Sequence, residues 1–503
     1  MSSYRAETLD QLSGGSLDLA VIGGGITGAR IAFEAARLGW KVALLEAGDF
    51  GGGTSSASSK LIHGGFRYLP MGDIALVRES QMERRVLMER VAPNLVRPLP
   101  FLLPVYEGSS RGKATIAAGL MLYRALAGRG GRVGFMHPSV AKAAVPGLRM
   151  SGLRMCGVFD EAETIDSRLV LATVKGAARC GALVLNHARV TGLELRHNRG
   201  ALVTVDAGEE GGVLQVRARH VINAAGPWVD RVRALDQPHA RPLVRFSKGI
   251  HLLLPLEGEW RCGVAMPLRG GRVALGIPWQ GMLMLGTTDT PFTGDPAEVT
   301  VTREDTRTVL NEASLFLADD LLEPAQVRFA IAGLRALPVA DGKTADARRG
   351  HLVEVSLNGL VSVAGGKLTT HRLIAIDALR RLPYAHIGRL NADDSRLPGT
   401  GWSFHVEADR SLDPEVANHL ERLYGDEAGR VLDLAAVLPD GMERIHPSGP
   451  DVWAQVDYAF ESEWARTAED VARRRTTLAM RGLLTDSIRQ RIERLAPARQ
   501  LVS

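Results

Sequence analysis

The sequence predicts an α/β protein in three parts: a domain built on a parallel sheet, a domain with a largely antiparallel sheet, and a helical C-terminal domain. Two short apolar runs, residues 19–22 and Val42–Leu45, are typical of buried parallel strands, and the apolar residues between them have helical spacing. From residue 244 to 288, apolar runs alternate with Gly, Pro and charged residues, which indicates antiparallel strands. After a polar stretch at 380–400, helical spacing returns.

The individual elements follow from the same periodicities. The predicted helices are 169–178, 415–424, 427–437, 452–463 and 468–478, and Gly39 is expected to end the first helix in a left-handed cap. The predicted strands are 183–185, 221–225, 252–254, 273–275 and 282–285, with a hairpin over 190–206 around Asn198-Arg199-Gly200. We place the first domain at 15–385, interleaved with the second at about 95–165 and 240–335, and the helical domain at 390–503.

Composition and charge narrow the class of protein. Of 503 residues, 45% are hydrophobic and 23% are charged, which is typical of a soluble globular protein. The net charge of +5 is small for this length and gives no reason to expect a nucleic-acid partner. Three cysteines without a C-x-x-C pattern favour buried thiols over disulfides or a metal site. Charges precede any apolar run, and the apolar segment 114–127 is too short to span a bilayer, so we expect a cytoplasmic protein.

A glycine-rich turn lies between the first predicted strand and helix, with the sequence Gly23-Gly24-Gly25-Ile26-Thr27-Gly28. Glycines at this spacing permit a tight turn and let a pyrophosphate approach the helix N-terminus. Glu46 ends the next strand, where a carboxylate can accept the ribose hydroxyls and disfavours a 2′-phosphate. A turn without a ligand is the alternative, but strand, helix and acid together favour a dinucleotide other than NADP.

Further motifs resemble the FAD-dependent glycerol-3-phosphate dehydrogenases, within the glycine-oxidase-like superfamily. The matching segments are TSSASSKLIHGGFRYL at 54–69, NAAGPW at 223–228, KGIH at 248–251, IPW at 277–279, GTTD at 286–289 and GGKLTT at 365–370. The tail resembles the family's helical domain through Tyr458-Ala459 and Arg473-Arg474-Arg475-Thr476. The resemblance implies a Rossmann-like FAD-binding domain with an antiparallel-sheet substrate domain.

The resemblance also implies which residues bind FAD. These are Gly23, Gly25, Gly28, Glu46, Thr54, Ser55, Ser56, Ser58, Ser59, Gly226, Gly366, Lys367, Leu368 and Thr369. Small hydroxyl side chains can solvate an anion without crowding it, although a Ser-rich segment alone more often forms a flexible polar loop.

Three residues are expected to be catalytic by the same resemblance: His251, Arg335 and Lys367. His251 would take the proton of the C2 hydroxyl, while the two cations would stabilise a developing alkoxide or bind phosphate. Arg67 and Tyr68 would fix the phosphate, with Thr370 as a further substrate contact. Alternatively, His251 is a structural histidine within a strand and Arg67 forms a surface salt bridge.

The activity implied is oxidation of sn-glycerol 3-phosphate to dihydroxyacetone phosphate, with hydride passing to flavin N5 and electrons to a membrane quinone. Three other functions stay open: an oxidase that uses oxygen, a flavoenzyme for a 2-hydroxy acid or amino acid, and a non-catalytic flavin-binding protein. A quinone acceptor and the basic, Leu- and Met-containing segment 113–132 predict peripheral contact with an anionic membrane surface on the inner face of the cell membrane. An ordinary core helix is the alternative for that segment, and the resemblance alone suggests a homodimer.

Overall fold

The computed structural model describes residues 2–109, 113–127, 131–196, 200–339, 350–383, 390–402 and 412–500. The strands form two sheets. In chain order they are β1 Ser16–Ile22, β2 Val42–Leu45, β3 Leu61–Ile62, β4 Val96–Tyr106, β5 Val133–Met136, β6 Leu153–Thr164, β7 Leu183–Leu185, β8 Arg189–Arg196, β9 Gly200–Asp206, β10 Val213–Asn223, β11 Val244–Pro255, β12 Gly263–Pro267, β13 Val273–Trp279, β14 Met282–Gly286, β15 Thr290–Phe292, β16 Phe329–Pro338, β17 His351–Val355 and β18 Val361–Gly365.

The helices cover the faces of both sheets and make up most of the C-terminal region. In chain order they are α1 Ser2–Gly14, α2 Ile26–Arg37, α3 Ile74–Val86, α4 Lys113–Ala127, α5 Pro138–Ala144, α6 Asp166–Arg179, α7 Gly208–Gly211, α8 Val229–Asp236, α9 Arg303–Ala313, α10 His371–Leu379, α11 Pro414–Tyr424, α12 Ala428–Val437, α13 Ala454–Ser462, α14 Ala468–Asp470 and α15 Asp486–Gln500. Among the described residues, none of these helices is both long enough and apolar enough to cross a bilayer.

The first sheet has the order β17-β18-β10-β1-β2-β7, in which β18 through β7 run parallel. Helices α2, α6 and α10 bury their apolar residues against one face of this sheet, and Ile31, Val170 and Ala375 belong to that shared core. Parallel strands need such crossover helices, which is why their sequences are apolar on both faces. The predicted strand, helix and strand around the glycine turn are therefore confirmed.

The second sheet has ten strands, and all its pairs are antiparallel except β4 with β12. Its longest pairing joins β11 and β16 over ten residue pairs, from Val244 opposite Pro338 to Leu253 opposite Phe329. The predicted antiparallel sheet is confirmed. The strands of this sheet mostly lie inside the ranges proposed for the second domain, whose boundaries stay a prediction.

Two details of the sequence prediction are wrong. The last predicted helix, 468–478, is regular only over Ala468–Asp470 and then widens into a π-helical turn at Val471–Arg475. The turn brings the Arg475 side chain into the interior, where it bonds to Asp49. Cys180 is exposed rather than buried, because it follows the last turn of α6, whereas Cys156 and Cys262 are buried as expected. Of the predicted hairpin turn, Asn198 and Arg199 lie outside the described residues.

Buried ion pairs join the C-terminal helices to α6. The carboxylate of Glu463 accepts hydrogen bonds from Arg168 at 2.6 and 2.7 Å and from Lys175 Nζ at 2.8 Å. Burial alone would raise the pKa of Glu463, but the two cations outweigh it and lower the pKa from 4.5 to about 2. The folded state therefore binds protons less readily here than the unfolded chain does, so folding stability depends on pH.

We expect Glu463→Gln to lower the free energy of unfolding by about 3 kcal/mol at pH 7, because it removes the counter-charge of the buried Arg168 and one of the two carboxylates paired with Lys175. Since the folded pKa lies below the unfolded one, the contribution of Glu463 is fully present above pH 4.5 and is lost as the pH falls toward 2. Urea unfolding at a series of pH values measures both effects.

The matched control is Glu89→Gln, which removes an ion pair with Arg85 whose side chains are both more than half exposed. This substitution should change stability by less than about 1 kcal/mol. Equal effects of the two substitutions at pH 7 would contradict the role given to the buried pair.

Candidate active site

A cavity of about 1040 Å³ lies between the two sheets. One wall follows the carboxyl ends of the parallel strands, where ligands of such sheets normally bind. The opposite wall is the face of the antiparallel sheet that carries β11 and β16. The predicted residues that line the cavity are Gly23, Gly25, Glu46, Thr54, Ser55, Ser58, Ser59, Tyr68, Gly226, His251, Arg335, Gly366, Lys367, Leu368 and Thr369.

The glycine turn follows β1 directly and leads into α2. Gly23 has a φ of +107°, a conformation that favours glycine. A Cβ on Gly28 would lie 1.8 Å from the carbonyl oxygen of Gly23, so only glycine lets the helix approach the turn this closely. The Ile26 N–H donates to Ser55 Oγ at 3.0 Å, which brings the Ser cluster to the N-terminus of α2. This cradle fits the pyrophosphate of a dinucleotide.

Glu46 directly follows β2, is half-buried, and accepts hydrogen bonds from the N–H groups of Gly24 at 2.6 Å and Gly48 at 2.8 Å. Burial raises the pKa of this carboxyl even though both donors favour its ionised form. Each oxygen uses one lone pair for these bonds and can accept a second donor. Two ribose hydroxyls would provide such donors, so the site fits the adenosine end of FAD.

The Ser cluster is ordered by bonds to the antiparallel sheet and to helix α6, and it is not a flexible polar loop. Thr54 Oγ1 donates to the Leu334 carbonyl at 2.7 Å, and Ser58 Oγ donates to Asp166 at 2.7 Å. Ser59 Oγ lies 2.8 Å from Nε2 of His251. The predicted cofactor loop therefore touches the predicted catalytic histidine.

His251 lies in β11 opposite Ile331 and is only 2% exposed. Burial is the main cause that lowers its pKa to about 3, and the positive charges of Arg335 and Lys60 lower it further. The imidazole is therefore neutral at physiological pH and can accept a proton. Its place on the cavity wall and its contact with Ser59 distinguish His251 from a histidine that only fills the core.

Arg335 lies in β16, and its guanidinium donates to Thr287 Oγ1 at 2.8 Å and to the Thr288 carbonyl at 3.1 Å. Gly249 makes room for it, since a Cβ there would lie 2.6 Å from Nη2 of Arg335. Directly across the strand pair, Gly333 makes similar room for the Ser loop. The two opposed glycines thus bring the arginine and the loop to the same wall of the cavity.

Lys367 follows two glycines with positive φ, Gly365 and Gly366, and precedes the 3₁₀ turn Leu368–Thr370 and helix α10. Its Nζ lies 4.0 Å from the centre of the Tyr68 ring, in cation–π contact. The predicted phosphate-binding tyrosine and the predicted catalytic lysine are therefore neighbours.

Four of the predicted site residues are not seen on the cavity wall. Gly28 packs behind the glycine turn, Ser56 offers its carbonyl to Lys60 Nζ at 2.7 Å, and Thr370 is buried where α10 begins. The backbone of Arg67 belongs to the 3₁₀ turn Phe66–Met71, but its side chain lies outside the described part of the structure. Its predicted phosphate contact stays a prediction.

Sequence reasoning missed Glu161, which lines the cavity from β6. Its carboxylate accepts from the Gly64 N–H at 2.6 Å, Tyr123 at 2.8 Å and Arg84 at 2.9 Å. These bonds hold the start of the turn that carries Tyr68. The four residues come from four separate segments, so no local pattern could have revealed them.

Two family models match the chain. The model for FAD dependent oxidoreductases matches residues 18–372, and the model for the C-terminal domain of alpha-glycerophosphate oxidase matches residues 391–496. A solved structure of glycerol-3-phosphate dehydrogenase from Bacillus halodurans, complexed with FAD, covers 99% of this chain and 97% of that one. It has a TM-score of 0.76 and 26% identity. The fold and the site thus define an FAD-dependent oxidoreductase.

Similar curated proteins show to which FAD-dependent oxidoreductases the chain is related. Glycerol-3-phosphate dehydrogenase of Mycobacterium leprae is 36% identical over 95% of this chain and 83% of that protein. The mitochondrial glycerol-3-phosphate dehydrogenase of Homo sapiens is 35% identical over 95% of this chain and 69% of that protein. The chain belongs to the FAD-dependent glycerol-3-phosphate dehydrogenases. The fold, cofactor and family expected from the sequence are confirmed.

Gly28→Ala should weaken FAD binding by about tenfold or more, because the new methyl group would force α2 away from the glycine turn. Titration of the apoprotein with FAD, followed by flavin fluorescence, measures the affinity. Gly429→Ala is the control, since a Cβ at Gly429 in α12 meets open space. Unchanged affinity in Gly28→Ala would show that the close approach is not needed.

Proposed function

We propose that the chain oxidises sn-glycerol 3-phosphate at C2, with His251 as the base and the nearby cations as stabilisers of negative charge. The observation that carries this proposal is a neutral, buried histidine beside Arg335 on the wall of a cofactor-sized cavity. Bound FAD supplies the hydride acceptor of the reaction at its N5 atom. The product is dihydroxyacetone phosphate.

His251 accepts the proton of the C2 hydroxyl as the hydride leaves C2. A neutral imidazole is required, and its surroundings keep it neutral because protonation would add a buried positive charge near Arg335 and Lys60. Ser59 orients the ring through Nε2. Without an acceptor for this proton, loss of hydride from C2 would leave a protonated, cationic ketone, which is far less favourable.

Arg335 and Lys367 divide two tasks, the stabilisation of the developing alkoxide and the binding of the phosphate. Arg335 is 30% exposed at the cavity and already anchored by Thr287 and Thr288, so it is preorganised to meet an anion. Lys367 lies on the Tyr68 ring. Arg67 and Tyr68 complete the phosphate site in this proposal, with Thr370 supporting the turn behind Lys367.

His251→Asn should slow reduction of the bound flavin by glycerol 3-phosphate by about 10²- to 10⁴-fold while the protein keeps its FAD. The measurement is stopped-flow absorbance of the flavin band without oxygen. His239→Asn is the control, since His239 is exposed. Wild-type rates in His251→Asn would rule out this base, whereas a wild-type flavin that glycerol 3-phosphate does not reduce would rule out the substrate.

The electron acceptor in this proposal is a quinone dissolved in a membrane. Helix α4 supports contact with a lipid surface, since it buries Ile116, Leu120 and Tyr123 but leaves Met121 and Leu122 exposed at 61% and 43%. The helix is thus neither wholly a core helix nor long enough to span a bilayer. An anionic lipid surface at the inner face of the cell membrane would attract the basic residues of segment 113–132. A homodimer is proposed from the family resemblance alone.

Anionic liposomes containing quinone should bind the enzyme at low salt and support turnover with glycerol 3-phosphate. Flotation measures binding, and quinol and peroxide are assayed in the same samples. A paired substitution, Met121→Ser with Leu122→Ser, should reduce flotation without changing anaerobic flavin reduction. Stoichiometric peroxide that added quinone does not suppress would show an oxidase instead.

A further inference from the structure

Three consecutive arginines follow helix α14, and they have different partners. Arg473 is half exposed and pairs with Glu469. Arg474 donates to Asp49 and, at 2.9 Å, to Asp470. Arg475 is fully buried and holds Asp49 with both ends of its guanidinium, with an Nη2 to Oδ1 distance of 2.8 Å. Two arginines of the C-terminal domain therefore converge on one carboxylate of the first domain.

Asp49 belongs to the loop that follows β2, residues 46–53, which we call the adenosine loop because it begins at Glu46. This loop contacts the glycine turn directly. The Gly51 N–H donates to the Gly24 carbonyl at 3.0 Å, and a Cβ on Gly24 would lie 2.6 Å from the Phe50 ring. The glycine turn and Glu46, which are expected to contact the adenosine half of FAD, thus both depend on the position of this loop.

The C-terminal domain reaches the adenosine loop at further points. The ring of Trp464 meets Phe50 edge to face, with centroids 5.7 Å apart. Asn186 donates to Asp49 at 3.2 Å and to the Trp464 carbonyl at 2.7 Å, so it bridges the two segments. Arg474 itself lines the FAD cavity together with Gly48 and Asp49.

We propose that the C-terminal domain is a clamp for the adenosine end of FAD, in which Arg474 and Arg475 fix the adenosine loop through Asp49. The loop contains four glycines, at 48, 51, 52 and 53, and such a segment loses much conformational entropy when it is ordered. A bidentate, desolvated ion pair supplies a rigid anchor for it. Arg475 and Asp49 are positioning residues, and the proposal does not depend on the substrate or the electron acceptor.

The test measures FAD affinity of the full-length apoprotein by fluorescence titration, without turnover. Arg475→Gln and Asp49→Asn should each weaken FAD binding by about tenfold or more. The double variant should be no worse than the more damaging single variant, because both remove the same contact. Arg473→Gln is the matched control and should bind FAD like the wild type, because Arg473 is next to the clamp but pairs with Glu469 and not with Asp49.

ADP, which carries the adenosine half without a flavin, locates the effect. As a competitor of FAD rebinding, it should lose affinity in Arg475→Gln by about the same factor as FAD does. A folded Arg475→Gln variant that binds FAD like the wild type would overturn the proposal. Weaker FAD binding with unchanged ADP binding would overturn it too, since the defect would then lie at the flavin end.

Hydrogen exchange on the wild-type chain keeps the proposal testable if the variants do not fold. Adding FAD or ADP should slow exchange in the adenosine loop and in Val471–Arg475 together, because loop and clamp would be ordered as one unit. Protection of the adenosine loop with unchanged exchange at Val471–Arg475 would contradict the clamp.

Discussion

The pairing of β11 with β16 is the constraint on which the active site depends. Residues directly opposite in an antiparallel pair point to the same face, and so do residues four apart along one strand. Arg335 is opposite Ser247, and His251 is four residues further along the same strand. The proposed base and the cation therefore face the same side because of strand register, although 84 residues separate them in the chain.

The charges around His251 have two roles in the proposed mechanism. Burial and the neighbouring cations lower the pKa of the imidazole, so the ring is neutral before the reaction. In the proposed mechanism Arg335 also attracts the substrate phosphate or opposes the negative charge that forms when the hydroxyl loses its proton. A site built from carboxylates in these positions would repel the substrate and would raise the pKa of the histidine.

The spacing of apolar residues predicted the individual helices and strands well, because these elements depend on residues close together in the sequence. The period of apolar residues located the strands and helix around Gly23, and spacing located most of the C-terminal helices. The chemistry of His251, Arg335 and Lys367 came only from family resemblance, because a histidine in a strand has no distinguishing pattern. Glu161 and Arg474 were missed because their partners are distant in the sequence, and only the tertiary structure shows that they line the cavity.

The contact between Asp49 and Arg475 joins residues 426 positions apart. A chain emerging from the ribosome completes the glycine turn and Glu46 long before Arg475 is made. With the adenosine loop anchored by that arginine, the order of synthesis places tight cofactor capture after the segment that carries Arg475 has been made and has folded. Premature release of the chain would then leave a domain with the binding motif but without a firm hold on its cofactor.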